Sequence, residues 1–245
     1  MSGSNVLSVS MCRCSRCPAG SDGICCELSE AQFKDLSQLM RHRHFEAGSQ
    51  IVHQDDTSGL FAFVVSGTIK LSRMLPDGRR QIVCFLSEAD CLGDLYKGIS
   101  HDTAECVTEV VLCCFPRKPF EAVLKKHPEL EHRLFLRAMN NLDETREWLF
   151  ALGRKKSPER VAMFLLWLLR KKDTRLSDGS NLSDASFLHC AFSRQEIADF
   201  LGLTVETVSR QFSKLRRAGV ISLHPDRCIE ILDLEALQLL SETSS

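Results

Sequence analysis

Three features of the sequence predict an α+β fold. Short β-rich runs broken by Gly and Asp turns fill the stretch from Phe45 to about Phe115. A long stretch with apolar residues every three or four positions follows. The last third holds two short helices around a Gly-containing turn, with a hairpin behind them. Together they predict an N-terminal small barrel or jelly roll (a double-stranded β-helix), a long helix and a C-terminal winged helix-turn-helix.

The β-rich runs are Ser49–His53, Leu60–Val65, Thr68–Met74, Arg80–Leu86 and Val107–Phe115. Turns at residues 55–59, Ser66-Gly67 and Pro76-Asp77-Gly78 separate them. Such close, regular spacing suits a small roll. Before it, Glu27 to Arg43 carries Leu28, Phe33, Leu36, Leu39 and Met40 at helical spacing, with Ser29 as N-cap. After it, Lys118–Lys125 reads as a short helix. His127 to about Leu152 reads as a long one, with Pro128 near its start and Gly153 at its end. Phe135, Met139, Leu142 and Leu149 form a single apolar stripe on that helix, which reads as a seam for a second copy of the chain. A further helix opens at Ser157-Pro158 and runs to about Lys172, and Asp173–Ser186 reads as a loop.

In the last third, Ser193 and Glu196 form a capping box that opens a helix through Phe200. Leu201-Gly202-Leu203 is the turn, and Thr204 caps a second helix that runs to Ala218 and stops at Gly219. Val205, Val208, Phe212 and Leu215 form its buried stripe. Glu206, Ser209, Arg210 and Ser213 form a neighbouring polar face that can reach base edges, and Lys214 suits a phosphate. Val220–Leu223 and Ile229–Leu232 make the hairpin, or wing. The basic residues Arg210, Lys214, Arg216, Arg217 and Arg227 outweigh Glu206 and Asp226 here, although the 245-residue chain carries a net charge of only −1. A locally positive reader on a neutral chain suits specific binding of double-stranded DNA.

The N-terminus is unlike the rest. Cys12, Cys14, Cys17, Cys25 and Cys26 fall within fifteen residues, out of twelve cysteines in all. Thiolates so close together point to a soft-metal or iron–sulfur site. The chain has no apolar run of membrane-spanning length and no signal-peptide layout, so a cytoplasmic protein is expected. In a reducing compartment these cysteines do not read as a disulfide framework. No nucleotide-binding Gly loop or catalytic His/Asp/Ser constellation stands out, so the reading is not an enzyme. Hydrophobic residues make up 44% of the chain, enough for proper cores. The organisation expected is 1–26 for the cysteine-rich segment and 27–126 for the roll. Residues 127–153 form the long helix, and 154–245 the DNA reader.

In this order the parts resemble the CRP/FNR superfamily of transcription regulators, over nearly the whole chain. The most specific piece is Leu201-Gly202-Leu203-Thr204-Val205-Glu206-Thr207-Val208-Ser209-Arg210, similar to the Glu-x-x-Ser-Arg recognition helix of the FNR (fumarate and nitrate reduction) branch. Ser66-Gly67-Thr68-Ile69-Lys70 also matches. The resemblance implies a homodimer on inverted repeats with TTGA-type half-sites, and a cyclic-nucleotide-binding-like roll. It also implies contact of the Asp77-Gly78-Arg79-Arg80 hairpin with RNA polymerase, and an oxygen-labile [4Fe–4S] cluster as sensor. Carried onto this chain, the cluster ligands are Cys14, Cys17, Cys25 and a roll cysteine. Val111-Leu112-Cys113-Cys114-Phe115-Pro116 aligns to select Cys113, with Cys114 and Cys106 as alternatives. Strand alternation lets only one of the adjacent pair face the N-terminal segment. Cys84, Cys91, Cys190 and Cys228 read as core or incidental thiols. Four thiolates also suit structural zinc. The segments matching a cyclic-nucleotide site, Gly93-Asp94-Leu95 and His101-Asp102-Thr103-Ala104, lack the phosphate-pairing arginine, so no cyclic nucleotide is expected.

Overall fold

The computed structural model describes residues 25, 28–57, 60–96, 99–173, 187–225 and 227–242. Cys14 and Cys17, and almost all of the expected loop over Asp173–Ser186, lie outside them. The chain divides into two compact units, residues 1–70 with 85–138, and residues 71–84 with 139–245.

Helix α1 (Glu30–Leu39) starts as the sequence predicts, with Ser29 accepting from the Gln32 backbone in a full capping box. It ends sooner than expected. Arg41–Phe45 is strand β1, paired antiparallel with β8 (Val110–Pro116). The Arg-His-Arg-His run is exposed and has no apolar alternation of its own, so its extended form is set by its partner strand. The other strands of the roll are β2 (Gln50–Val52), β3 (Leu60–Ser66), β4 (Ile69–Met74), β5 (Arg80–Leu86), β6 (Cys91–Leu92) and β7 (Thr103–Cys106). They form two four-stranded sheets, ordered β1-β8-β3-β6 and β2-β7-β4-β5. The short β6 and β7 were not foreseen. Gly93 after β6 is obligatory. Its φ is +94°, and a Cβ there would lie 2.0 Å from the Leu60 carbonyl.

Alternation along β3 and β8 splits their side chains between two faces. Phe61, Phe63, Val65, Cys113 and Phe115 point into one apolar cluster with Leu28 and Leu36 of the N-terminal segment. Phe120 and Leu124 of α2 (Arg117–Lys126), and Leu130 of α3 (Pro128–Arg154), complete it. Phe120 is its centre, fully buried, with ring centroids 5.0 Å from Phe61 and 4.9 Å from Phe115. Polar contacts rim the cluster. Gln32 donates to Glu129 at 2.7 Å, and Asp35 meets both Lys126 and His127 at 2.7 and 2.9 Å.

The second unit is built on α4 (Ser157–Asp173), α5 (Arg194–Leu201), α6 (Val205–Arg217) and α7 (Leu234–Glu242). Its sheet is three-stranded, β10-β11-β9, where the sequence predicts a two-stranded hairpin: β10 (Ile221–Leu223), β11 (Cys228–Ile231) and β9 (Phe187–His189). An aromatic core of Trp148, Phe164, Trp167, Phe192 and Phe200 ties the end of α3 to α4 and α5. Glu144 of α3 accepts a hydrogen bond from the Trp167 indole.

A Phe120→Ala protein is expected to lose about 3–5 kcal/mol of stability, measured by chemical denaturation. A loss below ~1 kcal/mol would show that the cluster is not the core of the first unit.

Candidate DNA interface and sensor face

Helices α5 and α6 are set by local chemistry. Ser193 and Glu196 make the capping box, with Ser193 N–H donating to Glu196 at 2.8 Å. Gly202 ends α5 in the left-handed region, at φ +62°, where a Cβ is disfavoured. Thr204 then caps α6 through the Thr207 N–H at 3.2 Å. Val208, Phe212 and Leu215 are buried as the apolar stripe predicts; Gln211 is buried with them, and Val205 is only partly so. The Arg194 guanidinium lies 3.6 Å from the centre of the Phe212 ring, so a cation–π contact joins the two helices.

The residues assigned to reading divide by exposure. Glu206, Ser209 and Arg210 are exposed on one side of α6. Ser213 is half-buried, and its hydroxyl donates to the Ser209 carbonyl at 2.9 Å, which reduces its freedom to read a base. Lys214 is exposed at the flank of this face, beside a cavity of about 320 Å³ lined by Pro158, Leu215 and Ala236. That position suits a phosphate contact. Arg217, named in the sequence as one of several basic residues, is eleven positions beyond Glu206. Three turns of helix bring it back to the same line, so Glu206, Arg210 and Arg217 form an exposed row with the half-buried Ser213 between them. A backbone hydrogen bond at the helix start, with the Thr204 side chain, holds the Glu206 carboxyl below its ordinary range. It is therefore an ionised acceptor at neutral pH, suited to a cytosine amino group.

On the long helix, Phe135, Met139, Leu142 and Leu149 are 58%, 37%, 40% and 71% exposed, while Leu130 and Trp148 are buried. The stripe thus lies away from the helix face used for internal packing. At the hairpin of β4 and β5, Asp77 and Arg79 pair with each other at the exposed tip, 2.8 Å apart. Arg80 is engaged elsewhere, with Asp199 at 3.1 Å.

The cysteines of the roll sort by face. Cys113 belongs to the apolar cluster, and Cys25 packs against that same cluster. Cys114 points to the opposite face, level with Ala62 and Arg41. Cys106 is buried on the second sheet, and burial pushes its thiol up to about 11, with Glu105 adding to the shift. Cys91, read as incidental, packs on the cluster too. Cys91 and Cys113 stand on either side of Phe63, both in register with it. A two-residue strand places Cys91 there, which sequence spacing does not reveal. Among the described residues no three His, Cys, Asp or Glu side chains are gathered as a metal site. No described helix is long and apolar enough to cross a membrane. In the segments matching a cyclic-nucleotide site, the Thr103 hydroxyl accepts from the Gln54 N–H at 3.0 Å, and Asp94 accepts from the Tyr96 N–H at 2.7 Å.

Comparison with known proteins agrees with this architecture. Residues 159–240 match the Crp-like helix-turn-helix domain, and residues 42–127 the cyclic nucleotide-binding domain. The chain is 35% identical to the transcriptional activator protein FnrL of Cereibacter sphaeroides, over 92% of this chain and 90% of that one. It is 36% identical to the nitrogen fixation regulation protein FixK of Bradyrhizobium diazoefficiens, over 86% of each. Among solved structures, FixK2 from Bradyrhizobium japonicum superposes with a TM-score of 0.75 at 26% identity, covering 84% of this chain and all of that one. With an FNR-type recognition helix on a roll of this topology, the chain belongs to the CRP/FNR family of DNA-binding transcription regulators.

Proposed function

We propose that this chain is an oxygen-responsive transcription activator that binds TTGA-type inverted repeats as a homodimer. Its sensor is a [4Fe–4S] cluster held by Cys14, Cys17, Cys25 and Cys113. The observation that carries the sensing half is the shared apolar cluster. Cys25 and Cys113 lie on the one sheet face on which α1, α2 and the base of α3 also pack. Two thiols of the proposed donor set therefore belong to the same apolar cluster as Leu130 of the long helix. Thiolate donors suit such a cluster, and when bound it supplies iron–sulfur bonds that oxygen breaks. The chain's part is to hold the thiols against α1 and the start of α3. Loss of that hold would alter what packs beside Leu130 and Leu134.

The exposed stripe of α3 supports the homodimer. Four large apolar side chains on one face of a 27-residue helix are costly to leave in water, and a second copy of the same stripe covers them. Dimerisation joins two half-site readers and raises the effective concentration of the second. Activation fits contact of the Asp77–Arg79 tip with RNA polymerase. Asp94 and Asp102 stand in the segments that match a cyclic-nucleotide phosphate site, and no arginine does. Such a phosphate would meet no counter-charge there, which argues against cyclic nucleotide as effector.

Two experiments test this reading. Arg210→Ala should cost roughly 1–3 kcal/mol on the preferred operator and relax discrimination at one C·G pair per half-site. Lys214→Ala should instead weaken all sequences alike and lower the salt slope. Unchanged base preference in the Arg210 variant, measured by binding to a base-substituted operator set, would refute the assignment of the reading face.

For the sensor, Cys113→Ser should abolish iron and acid-labile sulfide in anaerobically purified protein, whereas Cys114→Ser and Cys190→Ser should retain both. Full loading of the Cys113 variant would move the fourth ligand elsewhere, with Cys91 on the same face the first to examine. Zinc in place of iron in the parent protein would refute the iron–sulfur sensor.

A further inference from the structure

Arg160, in the first turn of α4, does something that no sequence pattern announces. Its guanidinium donates to three main-chain carbonyls from three places. Nη2 reaches Leu152 O in the last turn of α3 at 2.7 Å. Nε reaches Lys155 O in the connection to α4 at 2.9 Å. Nη1 reaches Leu201 O, on the final residue of α5, at 3.0 Å. The last carbonyls of a helix have no partner within it and carry the negative end of its dipole. A planar cation with five donors in a rigid fork can serve two such ends at once, whereas a lysine offers three donors from a single nitrogen.

The position matters because of what lies on either side. Leu201 immediately precedes the left-handed Gly202, and the turn leads directly into α6 with Glu206 and Arg210. Leu152 lies three residues beyond Leu149 on the helix that carries the exposed stripe. A second bond braces the same assembly, with Gln211 of α6 donating to Ser157 at the start of α4 at 3.2 Å. Arg160 therefore joins the backbone ends of the seam helix and of the reader's first helix, beside the Trp148–Phe200 ring contact and the Gln211–Ser157 bond.

The geometry points to Arg160 as a positioning residue that sets the distance between the two half-sites the dimer accepts. This role rests on the homodimeric DNA reading proposed above. The seam fixes one α3 against its partner, and Arg160 fixes each reader to its own α3. The reader-to-reader distance is then a property of the protein, and an operator of the wrong spacing forces one reader off its half-site. With the guanidinium gone, the Leu201 end of α5 can shift relative to Leu152, and readers at a wrong spacing can still both engage. Each reader keeps its own fold, since its two helix caps and the Arg194–Phe212 contact do not use Arg160.

The test uses the anaerobically purified full chain, as parent, Arg160→Lys and Arg160→Gln. Binding is measured to three duplexes: an inverted repeat of preferred spacing, the same repeat with one base pair inserted between half-sites, and a lone half-site. The parent should lose about tenfold or more in affinity on insertion, because the second reader no longer docks. The Gln variant should lose less than about threefold, and the Lys variant an intermediate amount, with lone half-site binding within about twofold of the parent. Variants that keep the full insertion penalty would overturn the role. So would lone half-site binding that falls as far as paired-site binding, which would make Arg160 a support for the reader's own fold. A parent chain with no preference for paired over single half-sites would overturn the dimeric reading itself, and this role with it.

Discussion

The structure depends on the outer face of one sheet. Strands β3 and β8 place Phe61, Phe63 and Phe115 side by side, and Phe120 sits over them. Around this aromatic platform gather the helix that follows the cysteine-rich segment, the short α2, the first turn of the long helix, and the thiols of Cys25 and Cys113. Close-packed interiors shift between discrete arrangements rather than deforming smoothly. Cys25 and Cys113 are therefore part of the same packed interior as Leu36 of α1 and Leu130 of α3. The polar rim sharpens this dependence. Asp35, its carboxyl held below the ordinary range by hydrogen bonds from Lys126 and then His127, ties α1 to the junction of α2 and α3.

The long helix carries that dependence onward. Its first residues belong to one compact unit and its last to the other. At its far end the indole of Trp148 packs on Phe200 of α5, Glu144 holds Trp167 of α4, and Arg160 gathers the carbonyl ends of α3 and α5. Between these ends the apolar stripe is left exposed. One helix thus packs into the apolar cluster of the first unit at its start and the aromatic core of the second at its end, with an exposed apolar stripe between.

Much of this was legible where structure is decided locally. Ser29, Ser193 and Thr204 cap the helices the sequence assigned to them, because a side-chain oxygen and the amide it accepts from lie within three residues of each other. Strand β5 occupies the residues read for it, bounded by the Pro76-Asp77-Gly78 turn. That only one of Cys113 and Cys114 can face the apolar cluster is legible in the two-residue period of a strand, and the two thiols do lie on opposite faces, whereas the preference for Cys113 came from the family resemblance. What escaped was set by distant partners. Strand β1 is extended because β8 pairs with it, while its sequence continues a helical pattern. Cys91 reaches the apolar cluster through a two-residue pairing with β3. Arg160 acts on carbonyls, which every residue has and no sequence distinguishes. Helix α7 was missed although Asp233 accepts from the Ala236 N–H at 2.8 Å, a capping signal that was there to be read.

The central claim is that oxygen acts on a thiolate-bound cluster and so on DNA binding. The most direct test titrates air into anaerobic protein bound to a labelled inverted-repeat operator, recording visible absorbance and DNA occupancy in the same cuvette. If the account holds, the iron–sulfur absorbance and the occupancy fall together, and chelating the released iron does not restore binding. Occupancy that persists after the colour has gone, or anaerobic protein that binds its operator fully with no iron present, would contradict it.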